Sequence, residues 1–224
     1  MLDSVSSKEL AEETGRLEEP AVVLVHGLWM TGWVLALQKR RLTARGYRAY
    51  LFSYPTVTTT LKDNAERLAA FIASLPEPRI HLIGHSLGGL VILEAVKRSP
   101  DPRIAGVVLL GPPYADCQSA RIFGRRRIGR WLLGKSLPQW VNSEKPAWSG
   151  DSPLGVIAGS RRFGLGMFFT RFEGINDGVV ALEETKIPGM RAHLVLPVAH
   201  SEMIFSSAVI HAACRFFEEG RFEG

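Results

Sequence analysis

A chain of 224 residues, 46% hydrophobic and 9% aromatic, can bury one sizeable core and is too apolar for intrinsic disorder. Its formal net charge of +5 is moderate, and no uninterrupted apolar run approaches the 18 or so residues that read as a membrane span. The two cysteines, Cys117 and Cys214, form no C-x-x-C pair or His/Cys cluster, which argues against a zinc or redox motif.

The first twenty residues, MLDSVSSKELAEETGRLEEP, read as a polar extension; Ser6 and Glu9 have capping-box spacing and predict a short helix over 7–14. The stretch has acids where a signal peptide needs a basic start and no apolar centre, so a cytoplasmic location is expected. Both cysteines are then expected as free thiols of a reducing compartment, with their pairing left open. AVVLVHGL (21–28) is aliphatic without polar alternation, the pattern of a parallel strand buried on both faces, and TGWVLALQKRRLTARG (31–46) predicts a helix that Gly46 ends. YRAYLFSYP (47–55) predicts a strand stopped by Pro55. LKDNAERLAAFIASLP (61–76) carries apolar residues at 61, 65, 68, 69 and 72, which is helical spacing. RIHLIGHS (79–86) and LGGLVILEAVKRS (87–99) repeat strand and helix. IAGVVLLGPP (104–113), PLGVIAGS (153–160) and RAHLVLPVA (191–199) predict three more strands, and SEMIFSSAVIHAACRFFEEG (201–220) a closing helix.

Aliphatic strands alternating with helices predict an α/β fold with a mostly parallel central sheet flanked by helices on both faces, in one domain over 21–220. The segment 114–150 breaks the alternation and reads as a short basic, Trp-containing cap insertion. Ligands of open α/β sheets bind at the carboxyl ends of the strands, so this insertion is placed to cover a site. Within it Ile122, Phe123, Ile128 and Trp131–Leu133 are interleaved with arginines. Two readings stand: a lid that exposes apolar residues on a lipid surface, or a cap fixed by ordinary packing. The cationic stretches KRRLTARGYR (39–48) and RIFGRRRIGR (121–130) read as solvated helix faces or as affinity for an anionic membrane surface or acidic substrate. Without a helix-turn-helix, zinc-finger or RRM signature they do not point to nucleic acid.

Between a predicted strand and a predicted helix, Gly84-His85-Ser86-Leu87-Gly88 matches G-x-S-x-G, the nucleophile-elbow pattern in its required context. A sharp turn there lifts the Ser86 hydroxyl clear of the sheet, the flanking glycines leave room for it, and the helix N-terminus lets the Leu87 amide face an oxyanion. The chain thereby resembles the α/β-hydrolase superfamily from about Ala21 to Phe217, in particular its small bacterial esterases and lipases and GPI-inositol-deacylase-like members. The resemblance implies that the amide after the His-Gly of VLVHGLW, that of Leu28, completes the oxyanion hole. His26 and Gly27 would shape that loop, with His26 as the base a competing reading. The chain departs from larger relatives in beginning almost directly with the His-Gly strand.

A serine needs a base, and of six histidines only His200 in LPVAHSEM combines a late position with the carboxyl edge of the sheet. The acid is expected between Ser86 and His200. Asp177 in GINDGVVALEE resembles the acid loop of lipase-like members; Asp116, Asp151 and Glu173 compete, and Asp177 also reads as a plain Asx-turn residue. Trp29, Met30 and His85 are the candidate substrate-binding residues. The expected chemistry is hydrolysis of a small-molecule or lipid carboxylic ester through Ser86, Asp177 and His200, which needs no metal or organic cofactor. Acyl transfer at the same triad and a non-catalytic binding protein of this fold are the alternatives.

Overall fold

The computed structural model describes residues 19–115, 134–145, 147–163 and 174–222. Its sheet has six strands, β1 (Ala21–Val25), β2 (Arg48–Phe52), β3 (Ile80–His85), β4 (Ile104–Leu110), β5 (Leu154–Gly159) and β6 (Ala192–Leu196). They are ordered β2-β1-β3-β4-β5-β6, and every neighbouring pair is parallel. All six predicted strands form, each shorter than its apolar run. β4 stops at Leu110 because Gly111 takes a left-handed φ of 54° and two prolines follow, and β6 stops before Pro197.

Among the described residues the α-helices are α1 (Ala36–Thr43), α2 (Leu61–Ala73), α3 (Leu87–Arg98), α4 (Ser136–Val141) and α5 (Ser207–Glu219). Successive strand residues feed opposite layers, as the two-residue period of a strand requires. Val23, Val25, Leu82, Val107 and Leu109 pack with α2, α3 and α4, whereas Val22, Leu24, Ile83, Val108 and Leu110 pack with α1 and α5. Both faces are therefore covered, which is why the strands read as continuous aliphatic runs. Thr60 and Ser206 begin α2 and α5, their side chains accepting the Asp63 and Val209 amides at 3.2 and 3.4 Å. Two predicted helices are broken by tighter turns: Gly32–Leu35 is 3-10 before α1, and His200–Ile204 is 3-10 before α5.

Part of the predicted insertion is anchored. In α4 the Trp140 ring is fully buried and donates from Nε1 to the Tyr114 carbonyl at 2.9 Å. The Gln139 side chain accepts the Leu61 amide at 2.8 Å, and Asn64 donates to Ser136 Oγ at 3.2 Å, fastening α4 to the start of α2. The predicted helix at 7–14 and the arginine-rich stretch 121–130, with Asp116, Cys117, Trp131 and Glu173, lie outside the described residues.

The sheet order reverses at β1: the chain leaves it for β2 on one side and returns to β3 on the other. The loops after β1 and β3 thus meet at the switch point, where open parallel sheets place ligands.

Candidate active site

Ser86 follows β3 directly and caps α3, with φ 53° and ψ −121°. A positive φ on a non-glycine residue costs on the order of 1–3 kcal/mol and persists only where its surroundings enforce it. The enforcement is visible. Its N–H donates to the Leu110 carbonyl at 2.9 Å, and its carbonyl accepts the Gly89 amide at 2.9 Å. A Cβ on Gly84 would meet Gly89 backbone at 2.8 Å, and one on Gly88 would meet the Val25 carbonyl at 2.3 Å, so both elbow glycines are required by close approach. Unlike Thr60 and Ser206, Ser86 makes no side-chain capping hydrogen bond. Its hydroxyl is not spent on the helix.

Asp177 and His200 come together from the loop after β5 and the turn after β6. His200 Nδ1 donates to Asp177 Oδ2 at 2.7 Å, and the His200 N–H donates to the Asp177 carbonyl at 2.9 Å. Asp177 Oδ1 accepts the amides of Val179 and Val180 at 2.9 and 2.7 Å, so the predicted Asx-turn geometry and the histidine contact coexist on one carboxylate. Burial alone would push this carboxyl up. The His200 ring and the Val180 and Val179 amides outweigh burial and hold it below the usual carboxylate range. Gly111, unremarked in the sequence, closes the arrangement from below. A Cβ there would lie 3.0 Å from His200 Nδ1 and 3.1 Å from Asp177 Oδ2, and its φ of 54° is one that L residues rarely adopt.

The loop after β1 is held by His26, whose buried ring stacks on Tyr54 at 4.6 Å. His26 Nδ1 donates to the Gly27 carbonyl at 3.0 Å and Nε2 accepts the Tyr54 amide at 3.4 Å, while burial lowers the ring's pKa. This is a histidine that holds a loop. Leu28 and Met30 are half-buried against the two core layers, and Leu87 is fully buried at the start of α3. Trp29 is 53% exposed with φ 60°, its N–H donating to Thr56 Oγ1 at 3.2 Å. His85, by contrast, is 1% exposed, its ring turned inward against His200.

The other described candidates lie apart from this constellation. Asp151 is exposed before β5. His81 stacks on Phe217 at 4.2 Å, His193 Nε2 is 2.9 Å from Thr185 Oγ1, and His211 lies on α5. Cys214 is a buried free thiol, pushed up to about 11 chiefly by burial. No group of three or more His, Cys, Asp or Glu side chains among the described residues is arranged to hold a metal ion, and none of their helices is long and apolar enough to cross a membrane.

A doubly covered parallel sheet with a strained serine after the third strand, and an acid–histidine pair after the last two, defines the α/β-hydrolase class. The alpha/beta hydrolase family model matches residues 22–204, and the chain belongs to that family. Among curated relatives it is 30% identical over 145 residues to "Probable esterase PIR7A" of Oryza sativa subsp. japonica, covering 60% of this chain and 50% of the relative. The chain thus spans about half the length of the curated relatives it matches. Among solved structures, the esterase EaEST of Exiguobacterium antarcticum superposes with a TM-score of 0.67 at 14% identity, over 90% of this chain and 93% of that one. The propeptide form of the Bacillus licheniformis lipase BlEst2 gives 0.66 at 20% identity, over 83% of this chain and 47% of the lipase. These likenesses show the fold.

Proposed function

We propose that the protein is a serine hydrolase of carboxylic esters, a single domain over 21–220 with a short cap insertion, working through Ser86, Asp177 and His200. The observation that carries the reading is the 2.7 Å bond between a buried carboxylate and His200, on the sheet edge where a strained serine keeps its hydroxyl out of helix capping. In this reading Ser86 Oγ attacks the ester carbonyl carbon and its proton passes to His200 Nε2. The amides of Leu28 and Leu87 hold the oxyanion. Collapse breaks the C–O bond to the alkoxy group, which leaves with the proton from His200. Water then gives its proton to His200 and its oxygen to the acyl carbon, releasing the acid and restoring Ser86. Asp177 keeps the imidazole in the Nδ1–H tautomer and stabilises the imidazolium that forms twice per turnover.

The exposed Trp29 and Trp33 suit an apolar acyl or alcohol group better than a charged one. Contact of the cationic 39–48 stretch, which runs from the end of α1 through a turn into β2, with an anionic membrane surface belongs to the same reading, because Lys39, Arg40 and Arg45 are exposed there. A chain-length series of p-nitrophenyl esters with wild type and Ser86→Ala tests the proposal. Turnover that vanishes in the variant supports it, and equal turnover in both overturns it. A primary alcohol added as acceptor separates hydrolysis from acyl transfer by product: free acid in the first case, a new ester in the second.

A further inference from the structure

His85 is buried one residue before the strained serine, and both of its ring nitrogens face parts of the site. Nε2 is 3.1 Å from the carbonyl oxygen of His200, and the two imidazoles lie 4.8 Å apart. A carbonyl only accepts, so this bond requires the Nε2–H tautomer and leaves Nδ1 as a bare lone pair. Nδ1 has no hydrogen-bonding partner among the described residues and faces the loop after β1: a Cβ on Gly27 would lie 3.0 Å from it and 3.2 Å from Ser86 Cβ. Protonating Nδ1 would set a new N–H against a glycine backbone with nothing to accept it. In keeping with that, burial first and then the His200 ring push His85 down to about 3.

His200 is held at three points. Its N–H and its ring are both bound by Asp177, which sits on a loop. Its carbonyl is bound by His85, which ends a strand at the centre of the sheet. The residue that grips the base is therefore the covalent neighbour of the residue the base must serve. A shift of about 1 Å between such partners costs on the order of 10²-fold in rate.

We propose that His85 is a positioning residue: its Nε2–H ties the backbone of His200 to the strand that delivers Ser86, keeping base and nucleophile in register through both proton transfers. The proposal rests on the serine-hydrolase reading. It also turns the residue before the nucleophile from a candidate that lines the substrate site into one that works from behind it.

The test compares His85→Gln and His85→Asn. Glutamine can place an amide N–H where Nε2 stands, whereas asparagine reaches only the Nδ1 position; both are polar and no larger than histidine. Steady-state hydrolysis of p-nitrophenyl butyrate is expected to fall in kcat by about 10- to 100-fold for His85→Asn with KM little changed, and to stay within about fivefold of wild type for His85→Gln. The low-field proton NMR signal of the His200–Asp177 hydrogen bond reads the same point without turnover: sharp in wild type and His85→Gln, broadened in His85→Asn. Folded His85→Asn with wild-type kcat, or His85→Gln as impaired as His85→Asn, overturns the proposal. Ser86→Ala is run beside them. If it is as active as wild type the hydrolase reading has failed, whereas an inactive Ser86→Ala with both His85 variants unimpaired removes only the role of His85.

Discussion

Two carboxylates are buried at opposite ends of the same sheet, and they meet the cost of burial in different ways. Glu77, at the amino ends of the strands, accepts from the Tyr50 hydroxyl at 2.5 Å and pairs with Arg48 at 3.2 Å, and its Oε2 has no partner among the described residues. Asp177, at the carboxyl ends, has both oxygens satisfied, by two amides and one imidazole. Arginine stays charged throughout the working range, so Glu77 is spent on holding β2 against the β3 entry. An imidazole offers two ring nitrogens, so Asp177 binds one through Nδ1–H and leaves the other to take or give a proton. Equal burial yields scaffold in one place and candidate chemistry in the other, and the partner decides which.

Substitutions at the two ends of the sheet should therefore have separate consequences. Ser86→Ala and His200→Ala should each lower kcat for ester hydrolysis by about 10⁴- to 10⁶-fold with the fold intact by circular dichroism. Asp177→Asn should cost about 10⁴-fold, since an amide can donate to the ring and favour the wrong tautomer. Gly111→Ala should cost about 10²-fold by pressing on the His200–Asp177 pair, read as lost kcat at little-changed KM. Glu77→Gln should leave kcat/KM unaltered and lower the unfolding free energy by about 1–3 kcal/mol in urea titration. A variant at Glu77 that impaired catalysis as Asp177→Asn does would erase the distinction between the two ends.

The histidines of β3 supply the mildest prediction. His81 is pushed down from 6.5 to about 4, with burial as the largest cause, and His85 to about 3. Between pH 6.5 and 4 the unfolded chain therefore binds protons at both positions that the native chain refuses. Stability must fall as pH falls through that window, by up to about 1.4 kcal/mol per pH unit for each group. His81→Phe, which keeps the stack on Phe217, should make that decline shallower in urea midpoints measured across the range. An unchanged slope would mean that His81 is protonated in the native state.

The elbow was readable because its residue types and its strand–helix context are local, and the strands because burial on both faces leaves a continuous aliphatic run. What escaped the sequence was set by approach between distant segments. Gly111 reads as a plain strand-end glycine until His200 and Asp177 close over it. The Glu77 network joins Arg48 and Tyr50 across nearly thirty residues, with no motif to announce it. The inward turn of His85 depends on a carbonyl 115 positions later. Pattern also exceeded structure where apolar residues continue past the last ladder bond: the run 191–199 looks strand-like throughout, but Pro197 and the turn that presents His200 end β6 at Leu196.

The central claim is that Ser86 is an activated nucleophile, and intact-mass labelling with a fluorophosphonate tests it most directly. A single phosphonyl adduct should form on wild type and none on Ser86→Ala under the same conditions. No adduct on folded wild type, or an equal adduct on both proteins, would contradict it.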